Sequence, residues 1–121
     1  MASSNSTSSP AAIVRPRVYL GKELAIGPGK IDLLRAVGKT RSISGAAKSI
    51  GMTYKRAWLL IDTLNQGLHR PVVETATGGR GGGGARLTEL GERLVRRYEA
   101  LELRINESAA GELRALRRLM R

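Results

Sequence analysis

The 121-residue sequence has no cysteine and no phenylalanine, and only one tryptophan and three tyrosines. Without cysteine there are no disulfides and no thiolate metal sites, which fits a reducing cytoplasm. With so few aromatics the core must be built of Leu, Ile, Val and Ala, which favours helices. Acidic residues are also scarce, 10 against 21 Lys and Arg, giving a formal charge of +11 and a pI near 11.3. A polyanionic partner follows, either nucleic acid or an anionic membrane surface. No apolar run is long enough to span a bilayer. The N-terminal stretch MASSNSTSSPAA lacks a basic n-region and an apolar h-region, so it is not a secretory signal. Its Ser-rich composition predicts a disordered tail over residues 1–14. The single histidine, His69, stands beside Arg70 and Pro71 with no clustered carboxylates, and reads as a loop residue rather than a metal ligand. No paired carboxylates in an apolar setting and no Ser/His/Asp constellation point to an enzyme. No metal and no cofactor are expected.

What the chain does have is centred on residues 43–64, ISGAAKSIGMTYKRAWLLIDTL. Ile43, Ala46, Ala47 and Ile50 recur at helical spacing and predict one buried face over residues 43–50. Gly51 follows, where a tight turn needs positive φ. Thr53 can cap a second helix, whose buried stripe would be Ala57, Leu60, Ile61 and Leu64. The small Ala47, four residues before Gly51, suits the close crossing of a helix-turn-helix. Thr53, Tyr54, Lys55 and Arg56 then form the outward start of the second helix, suited to base edges and phosphates in a major groove. The competing reading is an ordinary helical hairpin with a solvated basic face. Trp58, next to Ala57, is expected to pack into the core against the first helix.

On either side lie supporting elements. Residues 14–26 read as strand material, with a hairpin turn at Gly21-Lys22. A first helix is expected over residues 29–37, with Ile31, Leu34 and Val37 facing inward and Gly38 ending it. Arg41, Ser42 and Ser44 enter the helix-turn-helix, the serines as caps or phosphate contacts. The second helix should run to about Gln66, closed by Gly67. After it, residues 72–75 and 85–87 read as a strand pair around TGGRGGGG, residues 77–84. A strand pair with a basic, glycine-rich tip after a helix-turn-helix is the pattern of a wing. Arg80 at its tip would reach a phosphate or the minor groove, and Arg86 is a further candidate contact. The same stretch fails as a P-loop, because no Lys-Ser/Thr follows the glycines. A plain flexible linker is its other reading.

Thr88 opens the last long helix, helped by Glu89 and Glu92 near its N-terminus. Leu87, Leu90, Leu94, Tyr98, Leu101 and Ile105 recur at steps of three and four residues, a seam of coiled-coil character. A stripe this long exceeds what one small domain can bury, so a homodimer through Leu90, Leu94, Tyr98, Leu101 and Ile105 is expected. Beyond Asn106 the pattern weakens at Ser108 and Gly111. Leu113, Leu116 and Met120 then resume an apolar face among arginines, which would extend the dimer contact, the favoured reading, or form a solvated basic end or rest on an anionic surface. The domains are thus a tail at 1–14, a winged helix-turn-helix at 15–87, and a dimerisation helix with a basic tail at 88–121. The fold class is mainly α with a small β-wing.

In this order the parts resemble the N-terminal DNA-binding domain of the ModE family, the molybdate-responsive bacterial transcriptional regulators. The resemblance covers about residues 19–103. It rests on SISGAAKSIGMTYKRAW, LNQ and VETATGGRGGGGARLTELGERL, the glycine-run wing followed by Leu-Thr-x-x-Gly being the most specific part. LysR-type regulators share the winged domain and linker-helix dimer but not this wing. The resemblance implies a homodimer on a palindromic operator in double-stranded DNA, with recognition helices ~34 Å apart. It implies base-reading from Thr53, Tyr54, Lys55 and Arg56 and wing contacts from Thr77, Gly78, Gly79 and Arg80. Full-length members continue into a β-rich oxyanion-binding domain with a Ser-Ala-Arg-Asn-Gln signature. This sequence stops at Arg121 without that motif, so no oxyanion or metal site is assigned to it. The reading is a cytoplasmic, nucleoid-associated regulator with no membrane partner and an unknown effector. Its rivals are a direct molybdate or tungstate sensor and a non-specific architectural DNA-binding protein.

Overall fold

The computed structural model describes residues 12–76 and 84–121. The expected disorder of residues 1–11 and the wing tip at 77–83 lie outside the described residues. In chain order the elements are β1 (Val18–Leu20), β2 (Leu24–Ile26), α1 (Pro28–Thr40), α2 (Ile43–Ser49), α3 (Tyr54–Gly67), β3 (Val73–Ala76), β4 (Gly84–Leu87), α4 (Glu89–Ser108) and α5 (Ala110–Arg117). The fold is a winged helix-turn-helix followed by a long helix, as the sequence pattern predicts.

The centre of the core is α1, which packs against α2, α3, α4, β2 and β4. Ile31, Leu33, Leu34 and Val37 are fully buried on it, each stabilising the fold by about 1.5–3 kcal/mol. Burial of Leu33 and Ala36 widens the inward face beyond the expected stripe, because neighbours close on α1 from several sides. The helix also outruns its expected end. It passes through Gly38 and stops at Arg41, which adopts the left-handed conformation with φ 57° while its N–H bonds the Val37 carbonyl. Gly38 lies inside α1 facing Leu87 of β4, where a Cβ would make an ordinary contact at 3.4 Å.

Local chemistry sets the helix-turn-helix. The Ser42 hydroxyl accepts from Gly45 N–H at 2.9 Å, capping α2, and Thr53 accepts from Arg56 N–H at 3.1 Å, capping α3. Gly51 holds φ +73° between them. Ala46, Ala47 and Ala57 are buried where the two helices meet, as the small side chains predict. Ile50 corrects the expected inner face. It sits at the C-cap of α2 and is 37% exposed, because the chain leaves helical geometry there. On α3, Ala57, Ile61 and Leu64 are buried and Leu60 packs at the edge.

β1 and β2 form an antiparallel hairpin, Val18 opposite Ile26, turned at Gly21 with φ +65°. β3 and β4 pair antiparallel, Val73 opposite Leu87 and Glu74 opposite Arg86. Thr88 joins this wing to α4 twice. Its hydroxyl accepts from Gly91 N–H at 3.1 Å and donates to the Pro71 carbonyl at 2.7 Å. Its backbone N–H bonds the Val72 carbonyl at 3.0 Å. Gly91 passes so close to Val72 that a Cβ would be driven into that carbonyl. The Leu-Thr-x-x-Gly pattern is therefore a cap plus a close approach, which is why a glycine stands where a capping box would carry Glu.

The segment before β1 is strapped along α4. Asn106 accepts from Val14 N–H at 2.8 Å and donates to the Val14 carbonyl at 2.9 Å. Tyr98 donates to the Pro16 carbonyl at 2.6 Å, and Arg15 pairs with Asp32 at 2.9 Å. Val14 is thus tied down, although composition places it in the disordered tail. This stretch is extended but unpaired with another strand, since side chains of α4 satisfy its backbone.

Candidate nucleic-acid interface

α3 presents its N-terminal end outward. Thr53, Tyr54, Lys55 and Arg56 are all exposed, as predicted. Trp58 corrects its expectation. It is 41% exposed rather than packed in the core, and its indole N–H donates to the Tyr54 hydroxyl at 2.6 Å. The stripe Ala57, Ile61, Leu64 turns the neighbouring flank, not Trp58, toward α1. The pair at i and i+4 is a signal that spacing alone carries.

Arg56 has company that the sequence does not reveal. Lys30, on the first turn of α1, donates to the Ala25 carbonyl at 2.7 Å. Partial burial, then the charges of Arg17 and Arg56, push its pKa below the ordinary lysine value. Lys30 thus feels the charge of cations from two other segments. Long-range packing brings them together, and no local spacing encodes it.

Between α1 and α2, Arg41 is exposed and Ser42 is half-buried, and Ser44 in the first turn of α2 is exposed. The hydroxyl of Ser42 is used by the cap. Arg41 is tied to the wing through its backbone: Ala85 N–H donates to its carbonyl at 3.0 Å. Arg86, on β4, pairs with Glu74 across the strands at 2.8 Å, both well exposed. Its charge is partly answered within the wing. Thr77, Gly78, Gly79 and Arg80 lie outside the described residues.

The seam on α4 divides. Tyr98 is only 4% exposed and belongs to the chain's own core and strap. Leu90 and Leu94 pack partly on that core. Leu101 is 37% exposed and Ile105 half-buried. At 3.6 residues per turn, Leu90, Leu94, Leu101 and Ile105 fall within about 60° of one another. Tyr98 lies at the inner edge of that row.

The protein-family model described as "Bacterial regulatory helix-turn-helix protein, lysR family" matches residues 29–92, from the first turn of α1 to the first turn of α4. The chain belongs to this family. The lysR-family match thus takes in the capped helix-turn-helix, the strand pair and the Thr88–Gly91 cap. Among curated relatives, the chain is 40% identical to "Molybdenum transport protein ModE" of Azotobacter vinelandii, over 79% of this chain and 40% of that one. It is 45% identical to "DNA-binding transcriptional dual regulator ModE" of Escherichia coli K12, over 68% of this chain and 31% of that one. It is 47% identical to "Molybdenum-pterin-binding protein MopB" of Rhodobacter capsulatus, over 64% of this chain and 28% of that one. The chain therefore spans well under half the length of these relatives. Of solved structures, the CbnR_DBD-DNA complex shares the lysR-type fold at TM-score 0.54 and 18% identity, over 73% of this chain and 94% of that one. The BenM_DBD/benA site 1 DNA complex does so at TM-score 0.54 and 17% identity, over 73% and 93%.

Proposed function

We infer that this lysR-family chain is a DNA-binding transcriptional regulator, or the DNA-binding part of one, acting as a homodimer on a palindromic operator in molybdenum-related gene control. One observation carries it: a capped α3 presents Thr53, Tyr54, Lys55 and Arg56 outward and is followed in the chain by the β3–β4 wing, in a chain 45% identical to a relative named as a DNA-binding transcriptional regulator. Lys and Arg neutralise phosphates and supply most of the affinity, while α3 chooses the sequence. The homodimer uses the row Leu90, Leu94, Leu101 and Ile105 of α4. A binding role in the cytoplasm on the nucleoid fits the charge of +11; no catalysis is assigned.

The test is binding-site selection with purified protein, followed by anisotropy on the best duplex and a scrambled one at several salt concentrations. A shared palindrome with a large specificity ratio supports the regulator. Equal binding with equal salt response on both duplexes overturns it in favour of an architectural protein. The names of the ModE and MopB relatives motivate one further reading, direct molybdate or tungstate binding. Calorimetric titration with molybdate at micromolar protein decides it, and absence of heat removes it.

A further inference from the structure

The flank of α3 that carries Tyr54 also carries Trp58, and the bond between them has a direction. The indole N–H is a donor only, so at 2.6 Å it occupies a lone pair of the Tyr54 oxygen. The phenol proton must then point away from Trp58. A lone exposed phenol rotates freely and accepts as readily as it donates. In this pair it presents a proton outward, and accepting one hydrogen bond strengthens the one it donates. Both rings are exposed, at 54% for Tyr54 and 41% for Trp58. Packing therefore gives little account of a tryptophan at this place.

We propose that Trp58 is a positioning residue that fixes Tyr54 as a hydrogen-bond donor to a non-bridging phosphate oxygen of bound duplex DNA. The inference rests on the DNA-binding reading above. The acceptor follows from chemistry and place. A phosphate oxygen only accepts, which matches a phenol restricted to donation. In the N-terminal half of α3 the residues most directly opposite the buried stripe are Lys55 and Leu59, by the helical period. With that face toward the bases, Tyr54 and Trp58 stand on a flank, beside a phosphate backbone.

The experiment measures anisotropy on the selected duplex for wild type, Tyr54→Phe, Trp58→Phe and the double variant, with a thermal melt of each. A second duplex series carries one neutral methylphosphonate at a time. Tyr54→Phe should bind about tenfold more weakly, the scale of one hydrogen bond to a charged group, and Trp58→Phe should lose a smaller, measurable part of that. The double variant should bind no more weakly than Tyr54→Phe, because Trp58 acts through Tyr54. Neutralising one particular phosphate should weaken wild type, weaken Trp58→Phe less, and leave Tyr54→Phe unchanged at that position. Neither substitution should change the salt slope, since no charge is removed. Trp58→Phe binding as tightly as wild type, losses that multiply in the double variant, or a loss spread over every phosphate overturns the inference. Selective wild-type binding alongside any of those outcomes overturns the inference alone. Wild type that cannot tell the selected duplex from the scrambled one overturns the DNA-binding reading and the inference with it.

Discussion

Ala85 on β4 donates its backbone N–H to the carbonyl of Arg41 at 3.0 Å. The turn that opens the helix-turn-helix is thereby fastened to the returning strand of the wing. Arg41 reaches this geometry only in the left-handed region, at φ 57°, which costs an L residue roughly 1–2 kcal/mol. The wing and α2 thus share one anchor, and a change at Arg41 bears on both.

Arg41→Gly separates the backbone role from the charge. Glycine adopts the left-handed turn without a steric penalty but gives the unfolded chain more freedom. The two effects oppose, so stability in a urea titration should stay within about 1 kcal/mol of wild type. If the Arg41 side chain meets a phosphate, the slope of log K against log salt should fall by about 1. An unchanged slope assigns Arg41 to structure alone.

Gly91→Ala tests the approach of α4 to the wing. The new methyl would collide with the Val72 carbonyl, a backbone atom that cannot rotate away. Overpacking of this kind costs about 1–3 kcal/mol. Thr88→Ala should cost a similar amount, since the Thr88 hydroxyl both caps Gly91 and holds Pro71. Denaturation midpoints check both. Wild-type stability in Gly91→Ala would mean that α4 can slide off Val72 freely.

These two sites also show how far the sequence could be read. Ser42, Gly51 and Thr53 declare themselves because caps and positive-φ turns depend on single residues in fixed local places. The buried alanines follow from the same local logic. Gly38 and Gly91 are a different case. Their neighbours, Leu87 and the Val72 carbonyl, come from distant segments, so Gly38 reads as a helix end when it lies inside α1. Trp58 fails as a core residue because periodicity fixes a stripe to within about one position, and the true stripe passes beside it. Tyr98 keeps the heptad spacing of a dimer seam, yet the strap at Pro16 claims it. The grouping of Arg17, Lys30 and Arg56 depends on packing between segments and leaves no trace in spacing.

The Tyr98 bond to Pro16 gives the strap an alkaline limit. Burial first, then the charge of Glu102, pushes the phenol's pKa above its ordinary value of 10.0. A raised folded pKa means that the protonated phenol is favoured in the folded state. Its stabilisation is fully present below the unfolded pKa near 10 and is lost as pH rises through the higher folded value. Tyr98→Phe removes the hydrogen bond, costing about 0.5–1.5 kcal/mol at neutral pH. It should also flatten the fall in stability above pH ~10. Parallel alkaline profiles for the two proteins would show that Tyr98 does not control that limit.

Lys30 and Lys55 should answer DNA differently. Lys30 sits among like charges, with its pKa lowered by burial, Arg17 and Arg56. A depressed lysine opposes folding while protonated, so its penalty fades as pH rises through the lowered folded value toward 10.5. A phosphate placed between these cations would relieve the repulsion. Lys30→Met keeps the apolar stem but removes the charge. It should weaken specific and scrambled duplexes alike and lower the salt slope by about 1. Lys55 lies at the centre of the outward face of α3, and Lys55→Ala should cost about 1–3 kcal/mol on the selected duplex and little on the scrambled one. Anisotropy on both duplexes at several salt concentrations reads the contrast. The opposite pattern, with Lys30→Met costing only specific binding, would move base reading from α3 to the start of α1.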